Sequence, residues 1–341
     1  MGQCEVITNP DSQWPHFCPS LPAAYLYAVF FGLTTIAHLV QGVLYRKPYS
    51  WVITASGALQ TAAYVFRVLS IRNPANGTFY TGWFIVMMVA PIWTNAYAYM
   101  VMGRMVYNFT PNASVFKVKA WRFGLIFVLL DVIAFLGQLA GAALASGDHK
   151  STEDIMRGLH IYMGGVGFQQ LCIFVFLGLA IRLHKKLRME APTPERSRGL
   201  LLLYVEYAVV TLITVRIIFR LLEYSNGLKS TIPKHEVYQY ILDSTVMLIA
   251  LVLYNVFHPG RMMPGKESNL PSRKTRKGWK RAGVQPRGRL GEDHLLPKYQ
   301  IPSPETSRDH SPVGFNTPHG NYERLSTPQP GWPVNGNAPG Q

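Results

Sequence analysis

Residues Phe123–Ser146 read FGLIFVLLDVIAFLGQLAGAALAS, a run in which Asp131 is the only ionisable side chain. The hydrocarbon core of a bilayer is about 30 Å thick, so a helix needs about 20 mostly apolar residues to cross it. This stretch meets that requirement, and the buried helices of soluble domains rarely hold so long an apolar run. It therefore predicts a transmembrane helix.

Six further runs of similar length lie between Leu21 and Pro259. They are Leu21–Leu44, Tyr49–Ser70, Phe79–Met102, Leu159–Ile181, Leu200–Leu222 and Val237–Phe257. Strong alternation with a period of two is absent, which argues against a transmembrane β-barrel. The predicted fold class is an all-α integral membrane protein with a seven-transmembrane helix bundle. Spans two and seven are the weakest of the seven predictions, because each contains polar groups.

The distribution of Lys and Arg orients this bundle. Of the 33 basic residues, 25 lie in the odd-numbered loops or after Pro259, and five lie in the even-numbered loops. Basic residues concentrate on the cytoplasmic side of membrane proteins, so the N-terminus is predicted outside and the C-terminus in the cytoplasm. The net charge of +15 is thus an orientation signal, and we expect no nucleic-acid partner.

Composition divides the chain into three segments. Only 15% of all residues are charged, against roughly 25% in an ordinary soluble domain. The predicted segments are an extracellular N-terminal segment 1–20, a membrane domain 21–260 and a disordered, basic cytoplasmic tail 261–341. This organisation disfavours a soluble enzyme. Because the sequence also lacks a phosphate-binding loop and an H-E-x-x-H motif, we expect neither catalysis nor a bound metal or cofactor.

Two modifications are predicted on the extracellular side. Cys4 and Cys18 both lie in the N-terminal segment, where an oxidising compartment permits a disulfide. Asn76 begins a glycosylation sequon in an outer loop. Asn108 and Asn112 begin sequons that are predicted to be cytoplasmic and unmodified, so a glycan on either would contradict the topology.

Polar and ionisable side chains inside the spans mark candidate functional positions, because a charge within the bilayer is costly and normally faces a partner or a cavity. Some of these residues recur at helical spacing, so that they share one face of their helix. The substrate-binding or coupling candidates are Arg67, Asp131, Gln138, Arg216, Arg220, Glu223, Glu236, Tyr240 and Asp243.

Spans six and seven carry matching charge patterns in antiparallel directions. At about 1.5 Å per residue, Arg216 and Asp243 lie at similar depths below the outer ends of their helices. We therefore predict an Arg216–Asp243 ion pair, with Arg220 nearer to Glu236 or Tyr240. Such a pair acts either as a structural lock between two helices or as a direct substrate or proton site, and the sequence leaves both interpretations open.

Spans two and four supply the remaining candidates. Arg67 lies near the outer end of span two and is close enough to join the charged residues of spans six and seven. Asp131 lies nearer to the middle of span four, and Gln138 shares its face. This pattern indicates either a proton- or amine-binding site or a helix–helix hydrogen bond.

The motifs of spans six and seven resemble the C-terminal signature of the fungal RTA-like family. The matching residues are Arg216-Ile-Ile-Phe-Arg220-Leu-Leu-Glu223-Tyr224, Gly227, Glu236, Tyr240, Asp243 and His258-Pro259-Gly260. Shorter matches in spans one to four are Gly32-Leu33, His38, Gln41-Gly42, Tyr64, Arg67, Ala90-Pro91, Tyr99, Gly103-Arg104, Asp131, Phe135, Gln138 and Gly141. The resemblance covers roughly residues 21–260. It departs at Gln60, where the family often has Glu.

This resemblance implies a seven-span lipid-translocating exporter at a fungal plasma membrane. Amphipathic lipids such as sphingoid long-chain bases, or toxic sterol-like compounds, are the implied substrates. A cavity between spans two, four, six and seven would then bind the amine of a cationic amphiphile at Asp131 or Asp243. The alternatives are a seven-transmembrane receptor and a regulator of lipid asymmetry that does not itself transport lipid. At Gln60 an amide replaces the carboxylate that the family often has. If that carboxylate couples protons or contacts a substrate amine, this chain differs from the family in that respect.

The tail carries two further patterns. Residues Arg273–Arg281 form a basic cluster with one Trp, which beside a membrane predicts binding to anionic lipid at about 1 kcal/mol per cation. Four Ser/Thr-Pro pairs are candidate kinase sites. They begin at Ser303, Ser311, Thr317 and Thr327.

Overall fold

The computed structural model describes residues 12–14, 17–145, 151–225, 235–283 and 288–290, all of which belong to one compact unit, Met1–Leu296. Seven helices in this part of the chain are long and apolar enough to cross a membrane. The chain is therefore a multi-pass, all-α membrane protein, as the sequence predicts. The four Ser/Thr-Pro pairs lie outside the described residues.

The seven spanning helices alternate in direction. Helices α1 to α6 are Leu21–Leu44, Trp51–Arg72, Gly77–Phe109, Ala120–Ala145, Thr152–Glu190 and Thr193–Ser225. Helix α7 has three consecutive parts, Glu236–Gln239, a π-helical turn at Tyr240–Thr245, and Val246–Val256. We call the end of the bundle where α1 begins the N-terminal face. The opposite end, where α7 ends, is the C-terminal face.

Several helices continue past the hydrophobic runs that predict them. Helix α3 extends to Phe109, and α5 extends to Glu190. The apolar run stops where polar residues begin, but the helix does not stop there. Polar side chains that contact water or a protein partner leave the backbone hydrogen bonds of the helix intact. Asn108 is buried in the last turn of α3, where its side-chain amide donates to the carbonyls of Arg104 and Ser268.

Helix α3 is the most buried of the seven and packs against α2, α4 and α6. Helices α1 and α4 lie at the periphery and expose many of their large apolar side chains. Examples are Leu33 and Ile36 of α1 and Leu125 and Ile133 of α4. A peripheral helix that is apolar on its exposed side is expected where the surrounding solvent is lipid.

Small residues allow α4 and α5 to pack at backbone distance. A side-chain carbon at Gly141 would collide with the backbone of Tyr162 and Gly158, and one at Gly165 would meet the backbone of Ala134. Close backbone approach at small residues is a main source of attraction between helices in membranes, where the hydrophobic effect does not drive association.

The chain after α7 folds against the C-terminal face. It forms α8, Pro259–Met262, a 3₁₀ turn at Lys266–Ser268 and α9, Arg273–Arg281. Lys47 Nζ donates to the Gly265 carbonyl at 2.8 Å and to the Ser268 hydroxyl. Burial, together with the charges of Arg104 and Arg289, lowers the pKa of Lys47.

The described part of the predicted tail therefore differs from the disorder expected after residue 260. Met263 and Ser268 are buried, and the Gly288 amide donates to the Pro111 carbonyl at 2.7 Å. Pro111 precedes a short antiparallel hairpin, Ser114–Val115 with Val118–Lys119, that joins α3 to α4. The composition of this segment predicts disorder, but its apolar and polar side chains find partners on the loops of the bundle.

Replacing Gly141 with Val should destabilise the protein by about 1–3 kcal/mol, because the added carbons meet backbone atoms that cannot rotate away. The measurement is the thermal unfolding midpoint of detergent-solubilised protein. Gly164→Val is the matched control, since a Cβ at that helical glycine meets no atom within 4 Å apart from the backbone of its own helix. Equal losses in the two variants would contradict close packing as the cause.

Candidate functional site

Three cations and three acids lie together at the N-terminal face, between α2, α6 and α7. They are Arg67, Arg216, Arg220, Glu223, Glu236 and Asp243. Five of them are buried, and Glu236 is partly exposed. We refer to these six residues as the charged network. All six were candidates from the sequence.

Asp243 lies at the centre of this network. Arg216 Nε donates to Asp243 Oδ1 at 2.6 Å, which forms the ion pair predicted from helix depth. Arg220 donates to the other oxygen of Asp243 and to Glu223 Oε2 at 2.9 Å. The prediction that Arg220 lies nearer to Glu236 or Tyr240 is therefore wrong.

The π-helical turn explains this difference. A regular α-helix would place Glu236 and Asp243 on one face, where both acids would meet α6. The turn at Tyr240–Thr245 widens the helix and changes the register between them, as single π-helical turns do in many functional helices. Asp243 consequently faces α6, whereas Glu236 faces α2.

Arg67 of α2 is the partner of Glu236. Arg67 Nη2 donates to Glu236 Oε1 at 2.6 Å, and Nη1 donates to Gln239 Oε1 at 3.2 Å. Its guanidinium carbon also lies 4.6 Å from the Trp83 ring centroid and 5.1 Å from that of Tyr240. Arg67 therefore joins the charged network as the sequence predicts, with aromatic faces that further stabilise its charge.

The segment before α1 covers this ion pair. Trp14 is buried, and its ring centroid lies 5.0 Å from the Arg67 guanidinium carbon. Trp14 Nε1 donates to Ser70 Oγ at 3.1 Å, and the Ser20 amide donates to Glu236 Oε2 at 2.8 Å. Sequence reasoning missed this role of the N-terminal segment, because a short polar stretch gives no signal of where it docks.

Tyr240 belongs to a stack of aromatic rings beneath the ion pair. Its ring centroid lies 5.0 Å from that of Tyr27 and 6.1 Å from that of Tyr64. The Tyr64 hydroxyl bonds to the Ser244 hydroxyl, which the π-helical turn directs inward. The stack connects α1, α2 and α7 next to the charged network.

The charged network is formally neutral, with three arginines balanced by three carboxylates. Each cation contacts at least one acid, and Asp243 contacts two cations. Removing a partner from a buried ion pair leaves an uncompensated charge, which is far more costly than the pair itself. The arrangement therefore favours the interpretation as a lock that holds α2, α6 and α7 together.

Asp131 lies apart from this network, in a second polar centre between α3 and α4. Its Oδ2 accepts from Asn95 Nδ2 at 3.0 Å and from the Tyr99 hydroxyl at 3.1 Å. Its Oδ1 has no hydrogen-bond partner among the described residues, and no described Lys or Arg forms an ion pair with it. The side chain is 1% exposed.

The single cavity expected between spans two, four, six and seven is therefore a wrong prediction, because α4 packs mainly against α3 and α5. Gln138 of α4 likewise contacts α5, donating from Nε2 to Gln169 Oε1 at 3.1 Å. For Gln138 the helix–helix hydrogen bond is the interpretation that the contacts favour.

Glu206 and Gln60 are buried polar residues that the sequence candidates omit. Glu206 Oε1 accepts from the Tyr254 hydroxyl at 3.1 Å, and its Oε2 has no partner among the described residues. Both amide atoms of Gln60 are also buried without a described hydrogen-bond partner. Glu206 was recognisable as an acid within span six, but its lack of a cation becomes visible only in the structure.

The two predicted modifications stay predictions. Cys18 is disulfide-bonded, whereas Cys4 lies outside the described residues. Asn76 is exposed and caps α3, where its side-chain oxygen accepts from the Thr78 amide at 3.0 Å. Within the described ranges, no group of three or more His, Cys, Asp or Glu side chains is arranged to hold a metal ion.

Comparisons with known proteins identify similar chains. A family model described as RTA1 like protein matches residues 53–266. The probable lipid transporter atnI of Emericella nidulans is 42% identical over 263 residues, covering 74% of this chain and 69% of the relative. The sphingoid long-chain base transporter RSB1 of Saccharomyces cerevisiae strain JAY291 is 24% identical over 306 residues, covering 80% of each. The lipid-translocating exporter-like protein RTA1 of Leptosphaeria maculans is 26% identical over 278 residues, covering 73% of this chain and 51% of the relative. No solved structure matches.

Replacing Asp243 with Asn should destabilise the protein by about 3–5 kcal/mol, since two buried arginines lose their shared carboxylate. Thermal unfolding in detergent measures this loss. Glu153→Gln is the control, because it breaks the exposed Arg157–Glu153 pair of α5, which is worth about 0.3–0.5 kcal/mol. A loss at Asp243 as small as that at Glu153 would contradict a structural role for the network.

Proposed function

The chain belongs to the RTA1-like family, and on that premise we propose that it transports amphipathic lipids that carry a cationic head, such as sphingoid long-chain bases. Two similar proteins are named as a lipid transporter and as a sphingoid long-chain base transporter. The structural observation that carries the substrate class is Asp131, a buried carboxylate with one free oxygen and no cationic partner among the described residues.

Asp131 is a better amine site than Asp243. Both oxygens of Asp243 already accept hydrogen bonds from arginine. In contrast, a substrate ammonium would supply the positive charge that no described residue provides at Asp131. Ionisable residues within spans usually mark substrate or ion pathways for this reason.

Aromatic rings surround this second polar centre. The Tyr99 ring centroid lies 5.1 Å from that of Phe127 and 4.9 Å from that of Phe176. Aromatic faces beside a carboxylate are the chemistry that binds ammonium groups. The exposed apolar side chains next to Asp131, among them Leu129 and Val132, provide a surface for the hydrocarbon chain of the same lipid.

The charged network then has a different task. It joins α2, α6 and α7 at the N-terminal face and is covered by the segment around Trp14. We assign it to closure of that face, so that lipid movement requires these helices to separate or rotate while the amine is bound elsewhere. Domain rearrangement around a fixed site is the general mode of transporters.

We assign the N-terminal face to the outside and the C-terminal face to the cytoplasm of a plasma membrane, on the basis of the basic residues in the loops. In this orientation α9 would contact anionic lipid through its basic side chains, next to Trp121, whose ring centroid lies 5.4 Å from the Arg276 guanidinium carbon. The Ser/Thr-Pro pairs would be accessible to cytoplasmic kinases. We assign the chain no enzymatic activity.

Reconstitution of purified protein into liposomes tests transport and the amine site together. Wild-type protein should move a fluorescent trimethylammonium long-chain base across the bilayer, and Asp131→Asn should reduce that flux by about tenfold. The control substrate is the N-acetyl base, which carries no positive charge for Asp131 to bind. Its flux should be slower and should be the same in both proteins. Unchanged flux of the charged probe in the variant would rule out Asp131 as the amine site. Absence of flux in wild type would favour the receptor or regulator alternatives.

The proposed orientation predicts that a tag before residue 1 is labelled by antibody in intact cells, and that a tag after residue 341 is labelled only after permeabilisation. Each tagged protein is the control for the other, because both are the same protein in the membrane of the same cells and differ only in the end that carries the tag. Labelling of the C-terminal tag in intact cells would reverse the orientation.

A further inference from the structure

Polar contacts join α6 to α7 at two levels, one toward each face of the bundle. Arg216–Asp243 lies toward the N-terminal face, and Glu206–Tyr254 lies toward the C-terminal face. The contacts are ten residues apart on α6, which corresponds to about 15 Å. Between them α7 presents buried apolar side chains, including Met247 and Leu251. The helix pair therefore has two separate levels of polar contact with an apolar segment between them.

Only the contact at Glu206 lacks a cation. Glu206 is 0% exposed, has the Tyr254 hydroxyl as its one described donor, and leaves Oε2 without a partner. An ionised carboxylate in such surroundings is unfavourable, because it has lost its water without gaining a cation. Binding one proton forms an O–H bond at Oε2 and removes the charge, whereas Arg216 and Arg220 compensate the charge of Asp243.

A line of tyrosines connects Glu206 with the C-terminal face. The Tyr254 ring centroid lies 4.9 Å from that of Tyr97, which lies 6.0 Å from that of Tyr49 in the loop after α1. The Arg104 guanidinium carbon lies 3.7 Å from the Tyr49 ring centroid. The Tyr49 hydroxyl and Arg104 Nε are both buried without a described hydrogen-bond partner.

Unsatisfied buried polar atoms are uncommon in proteins, and ordered water normally satisfies them. Four such atoms occur along this line, namely Glu206 Oε2, the Tyr97 hydroxyl, the Tyr49 hydroxyl and Arg104 Nε. The line therefore contains the groups that a proton path needs, which are hydroxyls and sites for water. It begins at the C-terminal face and ends at the carboxylate of Glu206.

Helices α3, α5 and α7, which pack against α6, bring no further charge to Glu206. The titratable residue of α8, which also packs against α6, is Arg261, and its side chain is exposed. From α5, His184 contacts Tyr204 and Tyr207, and Tyr204 is exposed on the outer side of α6. From α3, the described titratable neighbours are Tyr97 and, beyond Tyr49, Arg104. From α7, the neighbour is Tyr254. No described Lys or Arg forms an ion pair with Glu206.

From this geometry we infer that Glu206 is the proton-binding residue that couples a proton gradient to lipid movement. The inference rests on the proposed transport function and adds its energy source. Protonated Glu206 allows α6 and α7 to pack tightly in the half of the bundle that lies toward the C-terminal face. The change of helix angle that this packing imposes opens the α6–α7 contact at the N-terminal face, so that a proton taken up along the tyrosine line from the C-terminal face leaves Glu206 toward the opposite side. Ionised Glu206 then draws water along the tyrosine line and loosens the contact again.

The experiment uses full-length protein in liposomes with an imposed pH gradient and a pH-sensitive dye inside. The transported probe is the fluorescent trimethylammonium long-chain base, because its fixed charge prevents the passive trapping of amines by a pH gradient. In wild type the gradient should accelerate probe flux, and adding probe should produce proton movement. Glu206→Gln keeps the acceptor for Tyr254 but cannot ionise, so it should lose both responses.

Binding of the probe, measured by its fluorescence titration, should be unchanged in Glu206→Gln, whereas Asp131→Asn should weaken it. A merely structural role for Glu206 would change binding and flux together. If Glu206→Gln does not fold, Glu206→Asp provides the second measurement, and it should retain the gradient response with a shifted pH midpoint.

Four results would overturn the inference. A full gradient response in Glu206→Gln would exclude this residue as the coupling site. The same response to pH in Glu206→Asp as in wild type would do so as well. Wild-type flux that ignores the gradient would exclude proton coupling while leaving the proposed transport function intact, and absence of any wild-type flux would overturn both.

Discussion

The carboxylate of Asp243, held between the guanidinium groups of Arg216 and Arg220, is the interaction on which the arrangement of α6 and α7 depends. No water is available in the hydrocarbon core to solvate a charge, so each buried ion must find its partner within the protein. Arg67 and Glu236 extend the same requirement to α2. The N-terminal half of the bundle is thereby organised around charge neutralisation.

This requirement separates the buried acids into two classes. Asp243, Glu223 and Glu236 each contact arginine, and their charges contribute to the assembly of helices. Asp131 and Glu206 accept hydrogen bonds from neutral donors only, and each leaves one oxygen without a described partner. A charge on an acid of the second class is not compensated by any described residue, which is the condition for binding an ammonium group or a proton.

Segments outside the spanning helices complete both faces of the bundle. Trp14 and Ser20 contact Ser70 and Glu236 at the N-terminal face. At the other face, Lys47 binds Gly265 and the Ser268 hydroxyl. Neither segment has a hydrophobic pattern of its own. Each is ordered by specific hydrogen bonds to the helix ends, which explains why composition alone predicts the second of them to be disordered.

The sequence by itself determined the seven spans, their family and the Arg216–Asp243 pair, because apolar length, motif spacing and depth along a helix are local properties of the chain. The tertiary structure decided that Arg220 also binds Asp243, that Asp131 faces α3, and that Glu206 has no cationic partner among the described residues. Those facts depend on which helices are neighbours. The glycine contacts bring α4 close to α5, and the π-helical turn sets which side chains of α7 face α6 and which face α2. Both effects become defined only when all the helices have assembled.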